Sequence, residues 1–308
     1  MRIGFIGMGL MGIPMSLRLS KAGLTEAGWT TCVWNRSKNN YPALEEMGLA
    51  VCEHLPELIA NSDVLMLCVT NTDAVREVVF GEHGIAKHGR AGQIVVDFSS
   101  IDPVATRDMA QRLYQQTSIR WIDSPVSGGV AGAEQGTLAI MAGGDADVID
   151  QIRPLLAPLS QRVTRMGDVG SGQVTKICNQ MLVSCNVLVM AEVMALAESA
   201  GVNATDIPGA LQGGFADSLP LQLTGPKMAK RDYDEIKWHV RTLLKDLDMA
   251  NTLAQQLQSA VPMVGLGAEL MRQHSGRGFS DQDPATLIEL YSVKKGEIQA
   301  AVKADNND

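Results

Sequence analysis

Residues 170–201, GSGQVTKICNQMLVSCNVLVMAEVMALAESAG, constrain the fold more than any other stretch. Between the opening glycines and the closing Gly201 there is neither Gly nor Pro, so nothing interrupts a helix. At ~1.5 Å per residue, a helix of roughly thirty residues spans about 40 Å, more than one small domain needs. Such an element is expected to run between two domains. It is apolar almost all round, which in a soluble chain predicts burial on most faces. Its polar groups gather near the start, at Lys176, Asn179 and Gln180, with Glu192 further on. Lys176 and Asn179 are three apart and share a helical face. A lysine there is either a stem lying along the surface with its ammonium in water, or a working group.

A chain of 308 residues suits two domains, and 45% hydrophobic content supports a sizeable core. A net charge of -8 and the lack of a basic run argue against nucleic acid. Cys32, Cys52, Cys68, Cys178 and Cys185 are odd in number and scattered, and are expected to be small buried hydrophobes in a reducing compartment. The histidines show no metal-ligand spacing, so no metal is expected. Asn186, Glu192 and Glu198 interrupt the long apolar stretch and argue against a membrane span. A soluble, cytoplasmic protein is expected.

Residues 2–6 form a short apolar run. Gly7-Met8-Gly9-Leu10-Met11-Gly12 follows, a GxGxxG between a strand and a helix expected over 14–22. In such a turn the first glycine allows the tight bend, the second lets backbone approach a pyrophosphate, and the third lets helix and strand pack. The helix start offers free N–H groups to the phosphates. The next strand, 30–34, ends in Asn35-Arg36-Ser37, where NAD-binding folds place an acid on the ribose 2′-hydroxyl. No acid stands here, and Arg36 with Ser37 suits a 2′-phosphate, so NADP is expected over NAD. Residues 24–28 read as a small insertion.

Further strands are expected at 64–69, 94–98, 120–122, 138–142 and 162–166, with helices between them, which predicts a parallel doubly wound sheet. The loops with Val69, Thr70 and Asn71, and with Ser99 and Ser100, are expected to line the cofactor, although such residues also cap helices. In Asp123-Ser124-Pro125-Val126-Ser127-Gly128-Gly129, Ser127 and the two glycines form a backbone nest suited to a carboxylate, or else a Gly-rich corner. Pro154 and Pro158 are expected to break the chain before the last strand. Beyond Gly170 strand signals vanish. Helices are expected at 205–212, 221–230, 238–258, 262–273 and 284–301, the second open to a break at Gly225-Pro226. The fold class is therefore an α/β Rossmann-type doubly wound parallel sheet domain over 1–168, followed by an all-α domain over 169–308. The long helix, 170–200, joins them.

Four motifs stand in order: GFIGMGLMG, DSPVSGGVAGAEQG, GSGQVTKICNQ and LLKDLDMA. Together they resemble the β-hydroxyacid dehydrogenase family, which includes 3-hydroxyisobutyrate dehydrogenases, tartronate semialdehyde (2-hydroxy-3-oxopropionate) reductases and glyoxylate/succinic semialdehyde reductases. The resemblance implies Lys176 as the catalytic lysine and Asn179 as the residue holding the substrate oxygen. It implies Ser127, Gly128 and Gly129 as the carboxylate loop, Ser100 beside the nicotinamide, and Lys245 near cofactor and substrate. Trp238 falls where the family often has a pocket Phe, which would narrow the pocket. Arg18 stands where the family's first helix usually has Asn, a change expected to touch packing.

The expected activity is hydride transfer between NADP(H), with NAD as the lesser option, and a small hydroxy acid or semialdehyde acid. Lys176 would pass the proton. Burial and the positive end of the long helix are expected to lower its pKa. An imine reductase, or a non-catalytic NADP-binding module on the same scaffold, are the alternatives. Imine-reducing relatives usually lack the lysine, and a bare module would not need Lys176 and Asn179 on one face. The expected partners are a small carboxylate substrate and, because a long apolar helix must be covered, a second copy of the chain in a dimer or tetramer.

Overall fold

The computed structural model describes residues 1–23, 28–236 and 238–291. The insertion read at 24–28 therefore falls almost wholly outside the described residues, as do 292–301 of the last expected helix. The chain divides into two compact units, Met1–Lys176 and Ile177–Asp308.

In the first unit β1 (Arg2–Ile6) leads to α1 (Gly12–Ala22), β2 (Thr30–Trp34), α2 (Tyr41–Glu46), β3 (Ala50–Val51), α3 (Leu55–Asn61) and β4 (Val64–Leu67). Then come α4 (Thr72–Phe80), α5 (Ile85–His88), β5 (Ile94–Asp97), α6 (Pro103–Thr117) and β6 (Arg120–Asp123). The unit continues with β7 (Val126–Ser127), α7 (Gly129–Gln135), β8 (Leu138–Gly143), α8 (Ala146–Leu156) and β9 (Ser160–Gly167). The strand order is β3-β2-β1-β4-β5-β6-β8-β7, with β9 on β8.

Strands β1 to β6 are mutually parallel. Beyond them the sheet is mixed, because β8 runs antiparallel to β6 and β7 and parallel to β9. The doubly wound parallel sheet expected from the sequence is present over β1 to β6, and its mixed end has a local reason. The connection from β7 to β8 holds little more than α7, too short for a parallel crossover, so the chain turns straight back. From β1 the chain winds outward to β2 and β3, then returns to build β4 and β5 on the other side. The carboxyl ends of β1 and β4 therefore part into a crevice.

Burial on both faces follows from the two-residue period of the strands. Ile3, Phe5, Val64, Met66, Ile94 and Val96 pack on one face of the sheet with Met15 and Leu19 of α1. Ile6, Leu65, Leu67 and Val95 pack on the other with Leu58 of α3 and Val75 of α4. Helix α8 runs through Pro154 without stopping, so the expected break falls later, at the short 3-10 turn Ala157–Leu159.

The long helix α9 (Ser171–Ser199) begins in the first unit and continues into the second. Of its most apolar stretch only 33% is buried, and by length and composition alone it is apolar enough to cross a membrane. The expected burial on most faces is thus corrected, for Leu182, Val189, Val193 and Leu196 are exposed. Cys178 is exposed as well, and of the five cysteines only Cys52 is fully buried.

The second unit adds α10 (Ile207–Leu211), α11 (Leu219–Lys230), α12 (Val240–Gln256), α13 (Pro262–His274) and a 3-10 stretch, Pro284–Leu290. Gly267 lets helices close up, since a Cβ there would come within 2.8 Å of Leu188 and 3.3 Å of Leu247. Helix α11 does not break at Gly225-Pro226. Packing overrides the proline, with Gly225 held so near Pro208 and Met194 that an added Cβ would meet them at 3.0 and 3.1 Å.

Arg18 has a packing role, donating from Nε to the Pro158 carbonyl at 2.6 Å and from Nη1 to the Glu134 carbonyl at 2.9 Å. It ties α1 to the end of α7 and to the turn before β9. Arg18→Ala should lower the unfolding free energy by about 1.5–3 kcal/mol, as for a hydrogen bond to a charged group, measured by urea titration.

Candidate active site

The glycine turn after β1 shows what the fold itself demands. Gly7 has φ 104°. A Cβ on it would lie 2.3 Å from the Cys68 carbonyl oxygen, and one on Gly12 would lie 1.9 Å from the Gly7 oxygen. Both positions are closed to any other residue. Gly9 differs, because a Cβ there would meet nothing within 4 Å. The protein does not require that glycine, and the space over it is open. Helix α1 has no side-chain cap. Among the described residues, the amides of Gly9, Leu10 and Met11 donate to no protein acceptor. Open space beside unpaired amides at a helix start fits a diphosphate. Leu10 is 82% exposed, while Met11 packs against the core.

A cleft of about 640 Å³ begins at this turn. Gly7, Met8, Gly9, Asn35, Arg36, Val69 and Thr70 line it, all expected from the sequence. Lys38, His54, Pro56 and His83 line it too and were not expected. Asn35 acts as a tie: Oδ1 accepts from Met8 N–H at 3.1 Å and Nδ2 donates to the Ser37 carbonyl at 3.0 Å. Tyr41 secures the same corner by donating its hydroxyl to the Asn35 carbonyl at 2.9 Å. Arg36, Ser37 and Lys38 are exposed, and Arg36 and Lys38 put two cations on the rim. Lys38 was legible as a second basic residue two places after Arg36 in the same loop.

Of the loops after β4 and β5, the first lines the cleft through Val69 and Thr70, whereas Asn71, Ser99 and Ser100 are not among its lining residues, and both loops carry caps and ties. Asn71 Oδ1 accepts from Ala74 N–H at 2.9 Å and caps α4, and Asp102 Oδ1 accepts from Ala105 N–H at 2.7 Å and caps α6. Val69 N–H donates to Ser99 Oγ at 3.0 Å, which fastens the two loops together. Ser100 follows, half-buried.

Beneath these loops lie two neighbouring carboxyls, Asp97 and Asp123, in register on β5 and β6 and both 0% exposed. Desolvation pushes Asp97 up to about 7, against the pull of hydrogen bonds from Ser99. One of its oxygens, Oδ2, has no partner. Desolvation likewise pushes Asp123 up to about 6, opposed by amides at the start of α9. Neither was expected as part of the site. The available signal was an acid closing each apolar strand, IVVD and RWID.

The Ser127 loop sits at the mixed end of the sheet. Ser127 pairs with Ala139, and Gly128 and Gly129 follow at φ 134° and 63°, exposed. Both φ values are positive, a backbone that glycine adopts without strain.

Lys176 and Asn179 share α9 three residues apart. Within the second unit Asn179 Nδ2 donates to Gln180 Oε1 at 2.9 Å, and Gln180 Nε2 donates to Asp246 Oδ2 at 2.5 Å. Lys245 Nζ lies 3.4 Å from Asp246 Oδ1. Asp246, 8% exposed, thus joins Asn179 and Lys245 through one carboxylate. Trp238 is half-buried just before α12.

Comparison with known proteins places this geometry. Residues 2–167 match the family described as the NAD binding domain of 6-phosphogluconate dehydrogenase. Residues 170–291 match the one described as NAD-binding of NADP-dependent 3-hydroxyisobutyrate dehydrogenase. The chain is 33% identical over 300 residues to the 2-hydroxy-3-oxopropionate reductase of Escherichia coli, covering 95% of this chain and 98% of that protein. It is 28% identical over 295 residues to the 2-(hydroxymethyl)glutarate dehydrogenase of Eubacterium barkeri, covering 96% of each. The solved structure of Mycobacterium tuberculosis 3-hydroxyisobutyrate dehydrogenase with L-serine has a TM-score of 0.83 at 25% identity, over 95% of this chain and 99% of that one.

Two outcomes follow from the geometry. Gly9→Ala should leave the unfolding free energy within about 1 kcal/mol while weakening binding of the nicotinamide cofactor about tenfold or more, read by fluorescence titration. The carboxyls give a pH signature. With folded pKa values above the ordinary 3.8 of an aspartate, Asp97 and Asp123 contribute stability that is full below about pH 4 and lost as pH rises through about 6–7. Between pH 5 and 8, Asp97→Asn should therefore gain about 2 kcal/mol on wild type in urea unfolding. A difference that does not vary with pH would refute this.

Proposed function

This chain belongs to the β-hydroxyacid dehydrogenase family, NAD(P)-dependent oxidoreductases, and on that premise we propose that it transfers a hydride between NADP(H) and a small hydroxy acid or its semialdehyde. The observation that carries this reading is the anchoring of α9. Its first turn is fastened to the strand ends of the cofactor side through Asp123, and Lys176 follows one turn later. The named activities of the relatives, on 2-hydroxy-3-oxopropionate and 2-(hydroxymethyl)glutarate, support a substrate with a carboxylate near the reacting carbon.

Bound, the nicotinamide supplies the hydride. Gly7, Met8, Gly9, Leu10 and Met11 would hold the diphosphate with backbone amides, and Val69, Thr70, Asn71 and Ser100 would line the nicotinamide side. Asn35 keeps the glycine turn in shape, and Arg36, Ser37 and Lys38 would take a 2′-phosphate. The absence of an acid at the end of β2 supports NADP over NAD. Lys176 donates a proton to the substrate carbonyl oxygen as that oxygen gains charge, and takes it back in oxidation. Asn179 has one Nδ2 hydrogen committed to Gln180, which leaves the other to hold the same oxygen. Ser127, Gly128 and Gly129 would bind the carboxylate, Trp238 would wall the pocket, and Lys245 would add positive charge near the cofactor. Together these contacts fix one orientation of the reacting carbon.

The same reading divides the chain into a cofactor domain over 1–168 and a helical domain over 169–308. It also makes the protein a cytoplasmic homo-oligomer. Support comes from the exposed residues Leu182, Val189, Val193 and Leu196, whose spacing puts them on one stripe of α9 that a second copy would cover. A monomeric mass in solution would count against that.

The deciding assay is NADPH oxidation with tartronate semialdehyde, methylmalonate semialdehyde, succinic semialdehyde and glyoxylate. Lys176→Ala should lose about 10²-fold or more in turnover with the preferred acid. Arg36→Ala should raise KM for NADPH about tenfold and leave that for NADH unchanged. Turnover that survives Lys176→Ala would sink the mechanism.

A further inference from the structure

Asp123, which fastens α9, and Gln173 are buried polar residues that the proposed chemistry brings into contact with neither substrate nor cofactor. Asp123 Oδ1 accepts from Gly170 N–H at 2.7 Å and Oδ2 from Gln173 N–H at 2.9 Å. Two glycines pack against this carboxylate, Gly172 also against the Met141 carbonyl, which its Cβ would meet at 2.3 Å. A Cβ on Gly143 would lie 2.5 Å from Oδ1, and one on Gly172 would lie 2.8 Å from Oδ2. Gln173 is 1% exposed and uses both ends of its carboxamide. Nε2 donates to the Ser99 carbonyl at 2.7 Å, and Oε1 accepts from Ile101 N–H at 3.1 Å. Ser99 is itself held, its N–H donating to Asp97 Oδ1 at 2.9 Å and its Oγ accepting from Val69 N–H at 3.0 Å. One continuous set of bonds thus runs from the loop after β4, through the loop after β5, to the turn of α9 that precedes Lys176.

We infer that Asp123 and Gln173 are positioning residues that hold the loop carrying Ser100 and the helical turn leading to Lys176 in one fixed relation. The inference rests on Lys176 being the proton donor. Hydride and proton must reach adjacent atoms of one carbonyl, and a misplacement of about 1 Å between reacting groups can cost on the order of 10²-fold in rate. Glutamine is chemically specific for the link. It must donate at one end and accept at the other in a buried place. Glutamate would accept at both ends and leave the Ser99 carbonyl facing a carboxylate, and methionine would bond at neither. Neither residue is assigned contact with substrate or cofactor, so their effect should fall on kcat and spare cofactor affinity.

The test compares wild type, Gln173→Met, Gln173→Glu and Lys176→Ala. NADPH affinity and site number come from fluorescence titration, kcat is expressed per NADPH-binding site, and amide exchange is followed over residues 99–101. For Gln173→Met the expected result is a kcat per site lowered about tenfold or more, an NADPH Kd within about threefold of wild type, and faster exchange over 99–101. Counting per binding site removes any unfolded fraction. A kcat per site within about twofold of wild type would overturn the inference, as would a loss of rate that only tracks lost affinity. If Gln173→Met binds no NADPH, the same thresholds apply to Gln173→Glu, which keeps the bond from Ile101. Loss of binding in both overturns the inference in favour of a purely structural role. Full turnover in Lys176→Ala would refute the underlying proton-donor reading instead, whatever the Gln173 variants do.

Discussion

A buried carboxylate and the open end of a helix each carry a cost that the other removes, and at Asp123 the two meet. A helix start leaves amides without partners, and a carboxyl taken out of water needs donors. Asp123 on β6 supplies acceptors to Gly170 and Gln173, and α9 supplies the donors. The approach is close enough to exclude a side chain at Gly143 and at Gly172. Even so, desolvation outweighs the hydrogen bonds, and the carboxyl stays well above the usual range. The start of the longest helix is therefore fixed by a strand residue from nearly fifty positions earlier, not by its own cap.

Much of the first unit could be read from the chain alone. The GxGxxG, the strands at Arg2–Ile6 and Thr30–Trp34, and the lack of strands among the described residues after Ser171 follow from local pattern. Local pattern also explains the misses. The two-residue strands Ala50–Val51 and Val126–Ser127 are too short for any periodicity. The mixed end of the sheet depends on a connection length, not on a residue type. Arg18 was expected to matter for packing, but its acceptors are carbonyls of Glu134 and Pro158, over a hundred residues on. Gln173 draws its significance from partners on another element, Ser99 and Ile101, and no spacing rule points to it.

The three glycines of the turn separate two kinds of constraint that a motif merges. Gly7 and Gly12 are required by the protein's own atoms, Gly9 by nothing within it. The first two explain the fold and the third points to a ligand. Asn35 makes a parallel case. Its place at the end of β2 suggested cofactor contact, and its carboxamide also holds Met8 and Ser37. It therefore shapes the turn as well as lining the cleft.

The neighbouring carboxyls Asp97 and Asp123 bear on how the molecule's charge should be counted. The formal value of -8 assigns a full negative charge to each of 34 acidic residues. A carboxyl titrating at about 7 is roughly half protonated at neutral pH. The folded chain is therefore less negative than its composition states, and folding near neutrality draws a fraction of a proton from the buffer. Heat measured on unfolding then includes the buffer's own ionisation, so the apparent enthalpy should differ between phosphate and Tris at one pH.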